Sequence, residues 1–218
     1  MKAYQKQFLD TALELGALKF GEFTLKSGRI SPYFFNAGLF SSGLSMRSLG
    51  SCYAQAILAE MPEFDLLFGP AYKGIPLVTA ASVIMADRVD RDIPFALNRK
   101  ERKQHGEGGR FVGAPLTGRV VILDDVITAG TAIREVMQLL STVPEVEVVG
   151  CMLALDRQER GQDERSAVQE VEQSFAIPVK SVVNLDTLID YADEKAGLAD
   201  VSDAIRAYRS RYGVRELK

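Results

Sequence analysis

Apolar residues near the start of the chain recur at the spacing of one helical face, and further along they gather into short runs. The helical spacing predicts an amphipathic opening helix over residues 3–18, carried by Phe8, Leu9, Ala12, Leu13, Leu15 and Leu18. Residues 21–45 instead hold short aromatic-rich runs between glycines and prolines, which predicts strands and turns. We expect about residues 1–45 to contribute a small hood lobe.

A different pattern begins after this lobe, in which a short apolar strand, a turn and an apolar helix follow one another. This alternation predicts an α/β fold with a mostly parallel central sheet flanked by helices. We expect about residues 46–218 to form mainly this α/β core, within a single domain over 1–218. The elements predicted are strands 66–68, 120–123, 146–155 and 179–183, and helices 76–87, 132–142 and 201–212.

Length and charge narrow the class of protein. A chain of 218 residues fits one domain with a sizeable core. Lys and Arg total 26 against 29 for Asp and Glu, so no overall basic field exists to attract a nucleic acid. Any cationic site must be local, and we expect no nucleic-acid partner.

Membrane and secretion signals are not evident in the sequence. The longest mostly apolar stretch, residues 77–86, is well short of the roughly 20 residues that cross a bilayer, and it predicts a core helix. The first residues mix charged and apolar side chains and do not resemble a signal peptide. Cys52 and Cys151 lie far apart in apolar stretches, which predicts buried free thiols. We therefore expect a cytoplasmic protein that does not enter a membrane.

Two acids and a threonine-rich turn directly follow the predicted strand 120–123. Open parallel sheets bind ligands at the carboxyl ends of their strands, where Asp124 and Asp125 fall. The turn 126–131 offers backbone N–H groups, hydroxyls and a helix N-terminus, which together hold a phosphate. Adjacent carboxylates repel a phosphate but accept hydrogen bonds from a vicinal diol. A sugar phosphate therefore suits both parts of this segment, its diol the acids and its phosphate the turn. The alternative is an ordinary helix cap after an acidic turn.

Two further segments offer cations. The turn 69–74 carries Lys73 between small residues, so its backbone can approach a second anion; the alternative is a solvated lysine in a Pro/Gly turn. Residues 99–105 hold four basic side chains and the only histidine, and glycines follow. This segment is either a flexible solvated loop or a cationic lid that closes over a departing diphosphate.

The segment 121–131 resembles the phosphoribosyl-pyrophosphate signature of the type I phosphoribosyltransferases, and the turn 69–74 resembles that family's pyrophosphate loop. The resemblance implies that Asp124 and Asp125 hold the ribose while the turn after them binds the 5′-phosphate. It also implies a cis peptide bond between Ala71 and Tyr72. The residues it assigns to this sugar-phosphate site are Tyr72, Lys73, Asp124, Asp125, Val126, Ile127, Thr128, Ala129, Gly130, Thr131 and Ala132.

Residues 99–109 are similar to the catalytic loop of one subfamily, the orotate phosphoribosyltransferases. The resemblance implies a homodimer with shared active sites, in which Lys103 and His105 act across the interface. It assigns catalytic roles to Lys103, Asp124, Asp125 and Lys26. The diphosphate would face Lys26, Lys73, Arg99, Lys100, Lys103 and His105.

Two segments resemble the part of that subfamily that binds the base. Residues 23–36 resemble its N-terminal lobe, where Phe34 and Phe35 lie against a pyrimidine and Lys26 reaches between base and diphosphate. Arg157, after the predicted strand 146–155, would pair with the carboxylate that distinguishes orotate from uracil and the purines. Thr128 completes the implied orotate site. Without the resemblance, the alternatives are core packing for the two rings and a solvated strand-end arginine.

The resemblance implies that orotate and phosphoribosyl pyrophosphate give orotidine 5′-phosphate and pyrophosphate, in the biosynthesis of UMP. The sugar would pass through an oxocarbenium-like state, so catalysis is positioning and charge stabilisation without a protein nucleophile. Mg²⁺ is expected as cofactor, held mainly by substrate oxygens and water, with no protein residue assigned as its ligand. Two alternatives stay open, a transferase for another base and a non-catalytic regulator that senses phosphoribosyl pyrophosphate.

Overall fold

The computed structural model describes residues 1–25, 27–103, 109–127, 130–161 and 164–214, except for the side chains of residues 102 and 103. The helices are α1 (Ala3–Glu14), α2 (Gly43–Glu60), α3 (Gly74–Val89), α4 (Thr131–Leu140), α5 (Ala167–Phe175), α6 (Leu185–Glu194) and α7 (Ala199–Tyr212), with a short 3₁₀ helix at Ala37–Leu39. The strands are β1 (Leu18–Thr24), β2 (Ile30–Phe35), β3 (Leu66–Gly69), β4 (Phe95–Lys103), β5 (Gly109–Gly113), β6 (Gly118–Asp124), β7 (Val146–Asp156) and β8 (Val179–Asn184).

Six strands form the central sheet, in the order β5-β4-β3-β6-β7-β8. Strands β4, β3, β6, β7 and β8 run parallel, and only the edge strand β5 is antiparallel to its neighbour. The predicted mostly parallel sheet is therefore confirmed. Because neighbouring parallel strands end at one edge, the loops that follow β3, β6 and β7 lie side by side.

Helices cover both faces of this sheet because its central strands are apolar on both sides. Leu67, Val121 and Leu123 pack towards α1, α2, α3 and α6. Phe68 and Ile122, at alternate positions, pack on the other face against α4 and α5. This double burial explains why the strands are continuous apolar runs, and it fixes the polar loops at the sheet edge.

Strands β1 and β2 form a separate antiparallel pair outside the main sheet. This hood packs against both an early and a late segment of the chain. Phe35 lies 5.8 Å from Phe8 of α1 between ring centroids, and Tyr33 lies edge-on to Tyr208 of α7 at 6.5 Å. The predicted boundary between hood and core near residue 45 stays a prediction. Helix α2 runs across this position, because it begins at Gly43, and it packs within the main core.

Two expectations from the sequence were wrong in detail. The opening helix ends at Glu14 instead of residue 18, since Gly16 has a φ of +67° and such left-handed residues commonly terminate helices. The basic segment from residue 99 is not a loop from its start, because residues 99–103 extend strand β4, which pairs with β5 at Asn98 and again at Lys103, with an irregular register between them. Strand pairing uses backbone groups, so an edge hairpin tolerates a run of lysines and arginines.

Candidate active site

A cavity of about 930 Å³ lies at the carboxyl edge of the sheet, between the loops after β3 and β6 and the basic strand β4. It brings together most of the described residues that the sequence assigned to a sugar-phosphate site. Its lining consists of Pro70, Ala71, Tyr72, Lys73, Asn98, Arg99, Lys100, Arg110, Asp124, Asp125, Val126, Ala132, Glu135, Val136, Gln138 and Leu139.

The loop after β3 is packed tightly against its neighbours. The Ala71–Tyr72 peptide bond is cis, as predicted, and the backbone N–H of Ala71 donates to Oδ1 of Asn98 at 2.9 Å. A Cβ atom on Gly74 would lie 2.7 Å from the carbonyl oxygen of Leu123, closer than such atoms approach. Glycine at this position therefore allows the loop to lie directly against strand β6.

The two acids at the end of β6 have different surroundings. The backbone N–H of Asp125 donates to Oδ1 of Asp124 at 2.9 Å, and the hydroxyl of Tyr53 donates to the Asp124 carbonyl oxygen at 2.7 Å. Burial raises the pKa of Asp124 to about 6. Asp125 is buried and forms an ion pair with Lys73. Hydrogen bonds to the backbone thus hold Asp124 in place, and the ion pair joins Asp125 to the loop after β3.

Cations line the side of the cavity that strand β4 supplies. The Nζ of Lys100 lies 4.9 Å from the ring centroid of Tyr72, which is exposed beside Lys73. Arg99 also lines the cavity. Sequence reasoning missed Asn98 and Arg110. Arg110 lies on β5, and the pairing of β5 with β4 brings it to the cavity. The sequence does not reveal this pairing, because residues 99–103 are charged instead of apolar.

The turn after the acids leads into helix α4. Gly130 has a φ of +72° and Thr131 begins the helix, so the backbone N–H groups that lack an intrahelical acceptor lie directly after this turn. Val126 and Ala132 line the cavity, whereas Ile127 packs partly against the core. The turn thus combines a left-handed glycine with a helix N-terminus, an arrangement that binds anions.

The residues assigned to the base lie on the hood side of the sheet edge. Phe34 is 41% exposed, with its ring 5.6 Å from that of Phe23, whereas Phe35 packs against the core. Arg157 is largely buried and contacts Glu159 and Ser31 of the hood, so it is not a solvated strand-end arginine. Among the residues that the structure describes, these three assigned to the base do not line the cavity.

Several assigned residues lie outside the described part of the chain. They are Lys26, His105, Thr128 and Ala129, together with the side chain of Lys103. Within the described ranges, no group of three or more His, Cys, Asp or Glu side chains could hold a metal ion. No helix in those ranges is long and apolar enough to cross a membrane.

Comparisons with known proteins agree with this geometry. The family described as the phosphoribosyl transferase domain matches residues 52–184. An orotate phosphoribosyltransferase of Chromohalobacter salexigens is 58% identical, over 99% of this chain and 97% of its own, and one of Pseudomonas aeruginosa is 56% identical, over 98% and 100%. The crystal structure of the Francisella tularensis orotate phosphoribosyltransferase superposes with a TM-score of 0.86 at 45% identity, over 94% of this chain and 98% of its own.

Proposed function

We propose that this chain, which belongs to the orotate phosphoribosyltransferase family, transfers the ribose 5-phosphate group of phosphoribosyl pyrophosphate to N1 of orotate, in UMP biosynthesis. The products are orotidine 5′-phosphate and pyrophosphate. The observation that carries the proposal is the acid pair at the end of β6, in which half-buried Asp124 precedes buried Asp125, Asp125 pairs with Lys73 across the sheet edge, and the N-terminus of α4 follows. This arrangement offers hydrogen-bond acceptors for the ribose diol, beside donors for the 5′-phosphate and a cation for the diphosphate.

The acid pair would hold the ribose. Carboxylates accept hydrogen bonds from the 2′ and 3′ hydroxyls, and the backbone contacts of Asp124 keep both side chains at the strand end. The N–H groups at the start of α4, from Gly130 onward, would bind the 5′-phosphate. Holding the sugar at both ends fixes the anomeric carbon relative to the incoming base, which is the source of a proximity effect.

Cations would stabilise the departing diphosphate. Lys73 is 62% exposed, so its ammonium group can turn from Asp125 towards a ligand in the cavity. Arg99 and Lys100 lie on the same wall. By resemblance, Lys103, His105 and Lys26 join them. Charge that develops on a leaving group is stabilised most by donors already in place around it.

Mg²⁺ would supply further charge neutralisation on the diphosphate. This metal is usually bound by one or two carboxylates together with phosphate oxygens and water. Asp124 and Asp125 provide carboxylates beside the cavity, so the residues present fit such an arrangement. We therefore expect the enzyme to depend on Mg²⁺, with the substrate supplying most of its ligands.

Orotate would bind on the hood side, where Arg157 meets its carboxylate and Phe34, Phe35 and Thr128 flank the ring. We also propose a homodimer whose basic loop serves the neighbouring subunit, since the resembling subfamily shares its active sites in this way. Cys52 and Cys151 are both free and buried, which suits the reducing cytoplasm in which we expect the enzyme to act.

The test is an absorbance assay with phosphoribosyl pyrophosphate and Mg²⁺, in which orotate, uracil and hypoxanthine are offered separately. We expect loss of orotate absorbance with release of pyrophosphate, far slower release of pyrophosphate with uracil, and none with hypoxanthine. Activity with hypoxanthine and none with orotate would assign the chain to another base. Binding of phosphoribosyl pyrophosphate without turnover of any base would favour a regulator.

A further inference from the structure

We propose that Glu159 is a positioning residue, which orients Arg157 towards the carboxylate of orotate and so sets the preference for an acidic pyrimidine. The inference rests on the proposed function. It is drawn from the contacts of Arg157, whose side chain is only 14% exposed.

The guanidinium of Arg157 carries five N–H donors on three nitrogens. Its Nε donates to Oε1 of Glu159 at 2.8 Å, and Nη2 lies 2.6 Å from the same oxygen. Nη2 also donates to Oγ of Ser31 at 3.0 Å. Within the described part of the chain Nη1 makes no hydrogen bond of ordinary geometry, and the buried Tyr208 hydroxyl is a further polar neighbour of both Arg157 and Glu159. The two N–H groups of Nη1 are therefore the ones available to an anion.

The plane of the guanidinium is fixed as well as its edge. The Cζ atom of Arg157 lies 4.3 Å from the ring centroid of Tyr33, which is fully buried. A cation stacked on one face and bonded along two edges cannot rotate without losing those contacts. The direction in which Nη1 points is thus set by Glu159, Ser31 and Tyr33 together.

Glu159 is itself held by a second arginine. Its Oε2 lies 3.6 Å from Nη1 of Arg29, and Arg29 also donates to the Arg160 carbonyl oxygen at 3.0 Å. The guanidinium of Arg29 stacks on Tyr212 at 4.9 Å from the ring centroid. The carboxylate therefore bridges two arginines, one facing the base site and one anchored between the hood and α7.

Because Glu159 bridges two arginines, a purely electrostatic role and a positioning role predict opposite effects of its neutralisation on orotate binding. If Glu159 acted only through its charge, neutralising it would strengthen the binding of an anionic base, because a nearby negative charge is removed. If it positions Arg157, neutralising it weakens orotate binding, since the two contacts to the guanidinium lose their charge assistance and the repulsion from Arg29 is no longer offset. The positioning role also predicts weaker discrimination against a base that lacks the carboxylate.

Glu159→Gln tests the inference, because the amide keeps the shape of the side chain and removes its charge. We expect the KM for orotate to rise about tenfold, with the KM for phosphoribosyl pyrophosphate within about twofold of wild type. The ratio of kcat/KM for orotate to that for uracil should fall. Glu164→Gln, at a 73% exposed acid paired with Arg160, is the control and should change neither value.

A lower or unchanged orotate KM in Glu159→Gln would overturn the inference. Because this substitution can also affect folding, Ser31→Ala provides a second variant that removes one contact of Arg157 without altering charge. The KM for orotate should rise less than in Glu159→Gln, and the KM for phosphoribosyl pyrophosphate should again stay near the wild-type value. An unchanged ratio of kcat/KM for orotate to that for uracil would contradict the inference. A wild-type enzyme that does not consume orotate would refute the proposed function itself, which is a separate result.

Discussion

Lys73 and Asp125 form an ion pair that joins the loop after β3 to the loop after β6. The carboxylate is buried and the ammonium group is exposed, so the lysine is the partner that is able to move. The pair therefore holds a cation ready at the mouth of the cavity. In the proposed reaction, a diphosphate competes with Asp125 for this cation.

Replacing the lysine should weaken the binding of phosphoribosyl pyrophosphate. In Lys73→Gln we expect the KM for this substrate to rise by about tenfold or more, since a charge-assisted contact to phosphate is lost. The KM for orotate should stay near the wild-type value. Steady-state kinetics with each substrate varied in turn check this, and Lys180→Gln at an exposed position of β8 is the matched control. Equal effects on both substrates would contradict a role at the diphosphate.

Asp124→Asn should stabilise the unliganded fold while lowering turnover. The folded-state pKa of Asp124, about 6, lies above the ordinary value of 3.8, so its favourable contribution exists at low pH and is lost as pH rises through 6. At about pH 8 the wild type carries this buried charge, and the asparagine variant should be more stable by about 2–3 kcal/mol.

Denaturant unfolding at two pH values checks this prediction. The stability difference between Asp124→Asn and wild type should shrink as the pH falls towards about 4, where the wild-type side chain is also neutral in the folded state. Activity should fall at both, because the asparagine offers one acceptor oxygen in place of two. A variant less stable than wild type at about pH 8 would show that the carboxylate is needed by the fold. Asp124→Asn combined with Asp125→Asn should cripple turnover with little loss of fold.

Gly74→Ala should destabilise the protein. A Cβ atom there would lie 2.5 Å from Cδ of Pro70 and 2.7 Å from the Leu123 carbonyl oxygen, and backbone atoms cannot give way cheaply. We expect a loss of about 1–3 kcal/mol of unfolding free energy. Gly43→Ala, where nothing lies within 4 Å of the added atom, is the control and should change stability little. Thermal or urea unfolding measures both, and equal stabilities would mean that the loop can move away from β6.

Subunit mixing tests the shared active site. Lys103→Ala should lower turnover more than substrate affinity, because a lid lysine that neutralises the departing diphosphate contributes mainly in the transition state. Inactive Lys103→Ala subunits mixed with inactive Asp124→Asn/Asp125→Asn subunits should regain about a quarter of wild-type activity, since half the dimers then contain one intact site. If subunit exchange is verified and no activity returns, the loop serves its own chain.

The meeting of the loops after β3 and β6, which the proposed function assigns to the sugar phosphate, could be predicted because its signals are local. Strands β3 and β6 contain the unbroken apolar runs 66–68 and 120–123, and polar residues follow each run closely, so topology alone brings Lys73 near Asp125. The alternation of strand and helix likewise predicted that the strands run parallel, although it did not predict their order in the sheet. Strand β4 was hidden because residues 99–103 are charged, and the backbone pairing with β5 leaves no trace in hydrophobicity.

The base side could not be predicted in the same detail because its contacts join distant segments. Arg157 was identified only through resemblance, and nothing in the sequence indicates that Ser31, 126 positions away, accepts a hydrogen bond from it. Glu159 and Arg29 were missed for the same reason. In the sequence, Arg157 and Glu159 are simply an arginine and a glutamate two positions apart, a spacing that is common in loops. Only the folded structure shows that the hood packs against them.

Closure of the hood by α7 makes the order of synthesis matter. Tyr33 meets Tyr208, and Arg29 stacks on Tyr212, so these contacts join residues that lie 175 and 183 positions apart in the chain. Domains are synthesised from their N-terminal side, so β1 and β2 leave the ribosome long before their partner helix exists. The hood strands must therefore wait, with Tyr33 uncovered, until α7 is complete. The contacts that hold the hood against α7 therefore form only after almost the whole chain has been made.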